Sequence, residues 1–170
     1  PPFRKMRVHN TEVDHDSIIH LLDPTPEQRQ RQRAHYLANV TMIDEKVGEI
    51  LQALEAKGYL ENAVVFFTSD HGDCLTDHGH SQKWTMYDQI LRVPLIAWSP
   101  QRYPAGVEID GLCQHMDVGP SILELAGLVP DPSLEAVSLT PALEGGNWRA
   151  RPHVYAEHGR DAILQETEFV

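Results

Sequence analysis

Apolar and polar positions alternate with different periods in successive parts of the chain. Leu37, Val40, Ile43, Val47, Ile50, Leu51 and Leu54 recur at steps of three and four. That is the stripe of a long amphipathic helix packed on a sheet. Pro24-Thr25-Pro26-Glu27 supplies its start, with Thr25 as N-cap and Pro26 in the first helical position. Lys57-Gly58 supplies its stop. Ala63–Thr68 then runs apolar without alternation, which predicts a strand covered on both faces and hence a central, parallel one. A second short strand is predicted at Val93–Trp98, with Pro94 at its beginning. Asp117 reads as the cap of a short helix reaching about Ala126 and stopped by Gly127. Ser138–Leu143 predicts another helical turn before Gly145-Gly146, and His153–Ala156 another strand. Residues 1–25, with prolines at both ends and His9, His15 and His20 between, read as a loop or lid. A long helix feeding an apolar strand predicts an α/β fold, a mostly parallel sheet sandwiched by helices, with residues 26–160 as its core.

Composition narrows the class. The 170 residues suit one domain, and 41% apolar residues allow a real core. No apolar run is long enough for a membrane span. A net charge of −11 argues against nucleic acid as a partner. It leaves room for a small anionic substrate if positive charge is concentrated in a pocket. Cys74 and Cys113 form no C-x-x-C pair or disulfide framework, which slightly favours a reducing, cytoplasmic compartment. Oligomeric state stays open, a homo-oligomer being allowed. The chain begins at Pro1 and ends at Glu168-Phe169-Val170, a strand-like run, so a longer parent is expected and a missing signal peptide is uninformative.

The chemistry concentrates where the first strand ends. Val64-Val65-Phe66-Phe67-Thr68-Ser69 gives way to Asp70-His71-Gly72. In parallel α/β sheets ligands bind beyond the carboxyl ends of strands. A carboxylate oxygen and an imidazole nitrogen held there make half a shell for a divalent cation. The plain reading of an isolated Asp-His pair is a cap and an exposed ring. The loop that follows, Asp73-Cys74-Leu75-Thr76-Asp77-His78-Gly79-His80-Ser81-Gln82-Lys83, shifts the balance, because it is dense in ligand-type residues and ends in a cation. A metal site followed by a lysine suits an oxyanion.

These residues resemble the sulfatase family of the alkaline phosphatase superfamily. The likeness rests on Thr68-Ser69-Asp70-His71-Gly72-Asp73, Asp77-His78-Gly79, Lys83, Tyr87 and Arg92-Val93-Pro94-Leu95-Ile96. Tyr36–Leu54, His115–Gly127, Ser138–Gly145 and Val154–Glu157 agree with flanking elements, so about residues 34–160 are covered. The resemblance implies an alkaline phosphatase-like fold and metal-dependent hydrolysis of a sulfate ester. In close relatives the target is a phosphonate monoester or phosphodiester. It implies Asp70 and His71 as metal ligands. Lys83, thirteen residues after Asp70, is implied as the group contacting the sulfate. His78 is carried with Lys83 as a catalytic candidate, a substrate-facing role standing against plain exposure. The metal implied is calcium, or, given the nitrogen ligand, manganese or another transition metal. The family nucleophile is a formylglycine made in a C-x-P-S-R or related motif. Neither Cys74 nor Cys113 lies in one, so the formylglycine is expected on an amino-terminal segment missing here. Alone, this segment is expected to be inactive.

The remaining signals have blander readings. Asp73 and Asp77 read as turn formers, Arg92 as an ion-pair partner, and His115 and Asp117 as helix start and cap. Cys74 reads as an unreactive or merely exposed thiol. A second metal site at His78 and His80 lacks the Asp-His that zinc hydrolases require after such a pair. Tyr36, Trp84, Trp98 and Trp148 read as packing residues, and His158 and Arg160 as open. The rival from another class is a non-catalytic binding or assembly module.

Overall fold

In a computed structural model of the chain, the described residues are 24–79, 83 and 85–157. Residues 1–23 of the lid expected at 1–25, and His80, Trp84, His158 and Arg160, lie outside them. Helix α1 spans Pro26–Ala56 and is followed by a 3-10 turn at Tyr59–Asn62 and strand β1 at Val65–Thr68. Then come a 3-10 turn at Asp77–Gly79, helix α2 at Asp88–Leu91 and strand β2 at Leu95–Trp98. A 3-10 turn at His115–Asp117 leads into α3, Val118–Leu125, and α4 is Thr140–Leu143. The class is α/β, a partial domain with helices and a small sheet.

The termini of α1 follow from its sequence. Thr25 Oγ1 accepts from the Gln28 N–H at 3.3 Å, and Gln28 Oε1 accepts from the Thr25 N–H at 2.8 Å. This reciprocal box satisfies two of the orphan donors of a helix start. At the other end Gly58 turns left-handed, φ 71°, and its N–H closes on the Glu55 carbonyl at 2.8 Å. The apolar stripe between these ends was expected to pack on a sheet. In the structure no residue of α1 is buried, and Leu37 is 62% exposed. Periodicity marks the face that seeks cover without providing it.

Contacts group the chain into two compact units. The first draws its described residues from 24–54, 71–94 and 156–157. Its buried positions among the described residues are Pro24, Cys74, Thr76, Thr85 and Ile90. The second comprises residues 55–70 and 95–155 and contains both strands.

In that second unit β1 and β2 pair antiparallel, with Val65 opposite Trp98 and Thr68 opposite Leu95. This corrects the parallel pairing expected for β1 within the segment. A parallel neighbour needs a crossover that packs back on the sheet, whereas an apolar run as such suits either direction. Coverage is also thinner than expected: Val65 and Phe66 are half-buried, but Phe67 and Thr68 are exposed. The strand expected at His153–Ala156 does not form; just before it the chain makes a single bridge, Leu112 to Arg151. One bridge leaves no ladder to hold a strand.

The unit is tied together by a carboxylate rather than by a large apolar core. Asp117, 1% exposed, accepts from the Gln114 N–H at 2.8 Å, the Val137 N–H at 2.7 Å and Arg151 Nε at 3.1 Å. Arg151 Nη2 adds a second arm at 2.5 Å. Asp117 therefore does more than the cap it was expected to be. Its side chain makes no capping bond to α3 and instead joins three segments distant in sequence. Ser121 continues the knot, donating to the Asp117 carbonyl at 2.6 Å and accepting from the Leu139 N–H at 2.8 Å.

Candidate active site

The end of β1 and the segment after it carry every candidate for chemistry. Thr68 is the last strand residue, and its hydroxyl lies 3.4 Å from His115 Nε2. His115, expected merely to start a helix, thus stands at the carboxyl end of β1. The Gln114–Asp117 box holds it there. Asp70 follows two residues later and is exposed.

His71 opens the segment that follows. It is half-buried, and its Nδ1 lies 2.8 Å from the Gly72 carbonyl oxygen. A carbonyl can only accept, so Nδ1 carries the proton and the neutral ring keeps its lone pair on Nε2. That is the arrangement by which a backbone carbonyl orients a metal-ligating imidazole. The donor chemistry of Asp70 and His71 therefore fits a divalent ion. It fits only as part of a shell: among the described residues no group of three His, Cys, Asp or Glu gathers around one point.

Gly72 is required by a close approach. A Cβ on it would stand 1.8 Å from the Gln89 carbonyl oxygen, and its N–H donates to the Ile90 carbonyl at 2.9 Å. Backbone thus meets backbone where any side chain would intrude.

The next residues form a tight, strained turn. Asp73 Oδ1 accepts from the Leu75 N–H at 2.8 Å, the turn-forming role its type predicts. Leu75, Thr76 and His78 all have positive φ, at 46°, 75° and 55°. Arg33 clamps the turn from α1, its Nη2 on Asp77 Oδ1 at 2.6 Å and its Nε on the Leu75 carbonyl at 3.3 Å. Asp77 is therefore an ion-pair partner as well as a turn residue. No single-sequence signal points to Arg33, because the clamp spans 44 positions.

Cys74 is fully buried, its thiol 3.4 Å from Thr85 Oγ1. Burial pushes that thiol up, and the nearby Asp73 and Asp77 charges push it further, outweighing the Thr85 bond. Cys113 is raised too, by burial and by the Asp117 charge, against the opposing effect of Arg151. Neither is a ready nucleophile. His78 is exposed and lies flat on Tyr87, ring centroids 3.8 Å apart and planes 12° from parallel. Gln89, which no motif marks, reaches His78 Nε2 at 3.3 Å. Lys83 is exposed, its carbonyl accepting from the Thr85 N–H at 2.8 Å. Arg92 is exposed too, and among the described residues it makes no ion pair.

Comparison with known proteins adds a second line. The family model described as Sulfatase matches residues 9–128, more than half of the chain. An N-acetylglucosamine-6-O-sulfatase of Bacteroides thetaiotaomicron is 35% identical over 139 residues, covering 76% of this chain and 25% of the relative. An arylsulfatase of Clostridium perfringens is 33% identical over 133 residues, covering 76% of this chain and 27% of the relative. Among solved structures, a phosphonate monoester hydrolase from Silicibacter pomeroyi superposes with a TM-score of 0.70 at 32% identity. That match covers 76% of this chain and 26% of the other. The chain spans about a quarter of the length of the curated relatives it matches.

Proposed function

The chain belongs to the sulfatase family, and from that premise we propose that the protein hydrolyses a sulfate ester, with Asp70 and His71 serving as two of the ligands of a divalent metal. The observation that carries the proposal is the family match across residues 9–128, which contains the whole Asp70-His71 to Lys83 series. The bond between His71 Nδ1 and the Gly72 carbonyl supports it, because such a bond orients a metal-ligating imidazole. When bound, a divalent ion supplies Lewis-acid polarisation of an ester oxygen.

The chain's own groups then have separate tasks. Asp70 and His71 hold and orient. Lys83 brings an ammonium to the charge that accumulates on the transferred group. His78 faces the substrate. The nucleophile, a formylglycine in this family, is assigned to neither Cys74 nor Cys113, since both thiols are pushed up and neither lies in the required motif. The metal is calcium, manganese or another transition ion, the single nitrogen donor favouring the latter two. The substrate is a small anionic ester.

A second reading moves the reaction to phosphorus, as phosphonate monoester or phosphodiester hydrolysis. The likeness to the Silicibacter pomeroyi hydrolase favours it. The test is turnover of 4-nitrophenyl sulfate against a phenylphosphonate ester by the full-length protein, before and after chelation. Faster, chelator-sensitive hydrolysis of the sulfate supports the proposal. Preference for the phosphonate supports the second reading, and no turnover of either supports a non-catalytic module.

A further inference from the structure

The turn at 74–79 is held in a conformation that its sequence resists. A left-handed non-glycine residue is strained, and for β-branched Thr76 the geometry is an outlier. Thr76 is fully buried and its hydroxyl finds no hydrogen-bond partner among the described residues. The Arg33 clamp and the Asp73 turn keep this arrangement in place. What the turn delivers is His78, set outward and laid on Tyr87 at a 3.8 Å centroid distance.

The ring's hydrogen bonding is defined. The Gln89 side-chain nitrogen at 3.3 Å is an amide NH2, which can only donate, so His78 Nε2 accepts and the ring proton is on Nδ1. Among the described residues Nδ1 has no partner. The exposed imidazole thus offers one flat face, with one N–H donor in its plane. Gln89 also fixes where this surface lies. Its backbone carbonyl is the group packed against Gly72, the residue after His71. The ring pair and the proposed metal ligand are therefore neighbours across one backbone contact.

We infer that His78 and Tyr87 form the subsite for the esterified alcohol, and that it takes a ring-bearing alcohol stacked on His78 with a polar substituent accepting the Nδ1–H. The inference rests on the hydrolase reading above and assigns His78 to the leaving group's body rather than to proton transfer, since Nε2 is already engaged. A quaternary ammonium would call for several aromatic faces around it; a single face with a donor at its rim matches a ring.

The test uses the full-length enzyme, His78→Ala and His78→Phe, and three esters: 4-nitrophenyl sulfate, glucosamine 6-sulfate and ethyl sulfate. Relative to ethyl sulfate, His78→Ala is expected to lower kcat/KM for both ring esters about three- to tenfold, mainly through KM, as one lost ring contact predicts. His78→Phe keeps a flat face without the N–H, so it should restore the aryl ester more than the sugar ester. An equal loss on all three esters, or no loss on any, overturns the inference while leaving the hydrolase reading intact. A wild-type enzyme inactive on all three overturns the sulfate-ester reading and this inference with it.

Discussion

Removing the Asp117 carboxylate should be among the most damaging single changes available in the second unit. Asp117→Ala leaves the Gln114 and Val137 N–H groups without their acceptor and strands Arg151, whose side chain is only 16% exposed. Breaking a buried ion pair by removing one partner costs about 3–5 kcal/mol, well above the usual effect of a surface change. The assay is urea denaturation followed by tryptophan fluorescence, with Trp98 and Trp148 reporting from this unit. Arg151→Ala should cost a similar amount, and the double variant less than the sum, because each single variant already forfeits the pair.

The acid limb gives an independent check. Burial would push the Asp117 carboxyl up, but the Arg151 hydrogen bonds, the Val137 and Gln114 N–H groups and the Arg151 charge together hold it below the ordinary value. A depressed folded pKa gives stability that is present above the unfolded value, about 4, and lost as pH falls through the folded one. The gap between wild type and Asp117→Ala should therefore be full near neutrality and shrink below about pH 4. A loss under about 1 kcal/mol at neutral pH, or strict additivity in the double variant, would refute the view of Asp117 as a buried hub.

Other outcomes follow from the site. Gly72→Ala places a methyl 1.8 Å from the Gln89 carbonyl oxygen, so a loss of about 1–3 kcal/mol in thermal or urea unfolding is expected; an unchanged midpoint would contradict the packing. Asp70→Asn and His71→Ala should each weaken metal binding, in calorimetric titration of the full-length protein, by at least the roughly ten- to hundredfold that losing a mere partner of a ligand costs, and wild-type affinity in both would remove them from the shell. Lys83→Ala should lower kcat by about a hundred- to a thousandfold, with Lys83→Arg partly restoring it; a change confined to KM would make Lys83 a binding residue only.

The elements that were legible in the sequence are those written by neighbouring residues. Thr25 and Gln28 meet across one turn, and Gly58 can be left-handed because it lacks a Cβ, so the ends of α1 could be read directly. The first and second strands, the helices at Val118–Leu125 and Thr140–Leu143 and the sulfatase series were readable for the same reason, each being a local pattern with its own period or spacing, whereas the one-turn helix Asp88–Leu91 was not read. The pairing direction of β1 was not, since a run such as Val65-Phe66-Phe67 hydrogen-bonds equally well to a neighbour of either sense. Nor was the role of Asp117, whose type suits a cap and a buried ion pair alike until Arg151 arrives from 34 positions away.

At the candidate site the division is similar. By itself the sequence determined which donors exist, in what order, and that an apolar strand precedes them. Only the tertiary structure decided that Gly72 backs onto the Gln89 carbonyl, that Arg33 holds the turn, and that His78 lies on Tyr87 and meets Gln89. The physical reason is that composition and spacing act through covalent neighbours. Ring stacking, tautomer and burial depend on groups that only folding brings within a few ångströms.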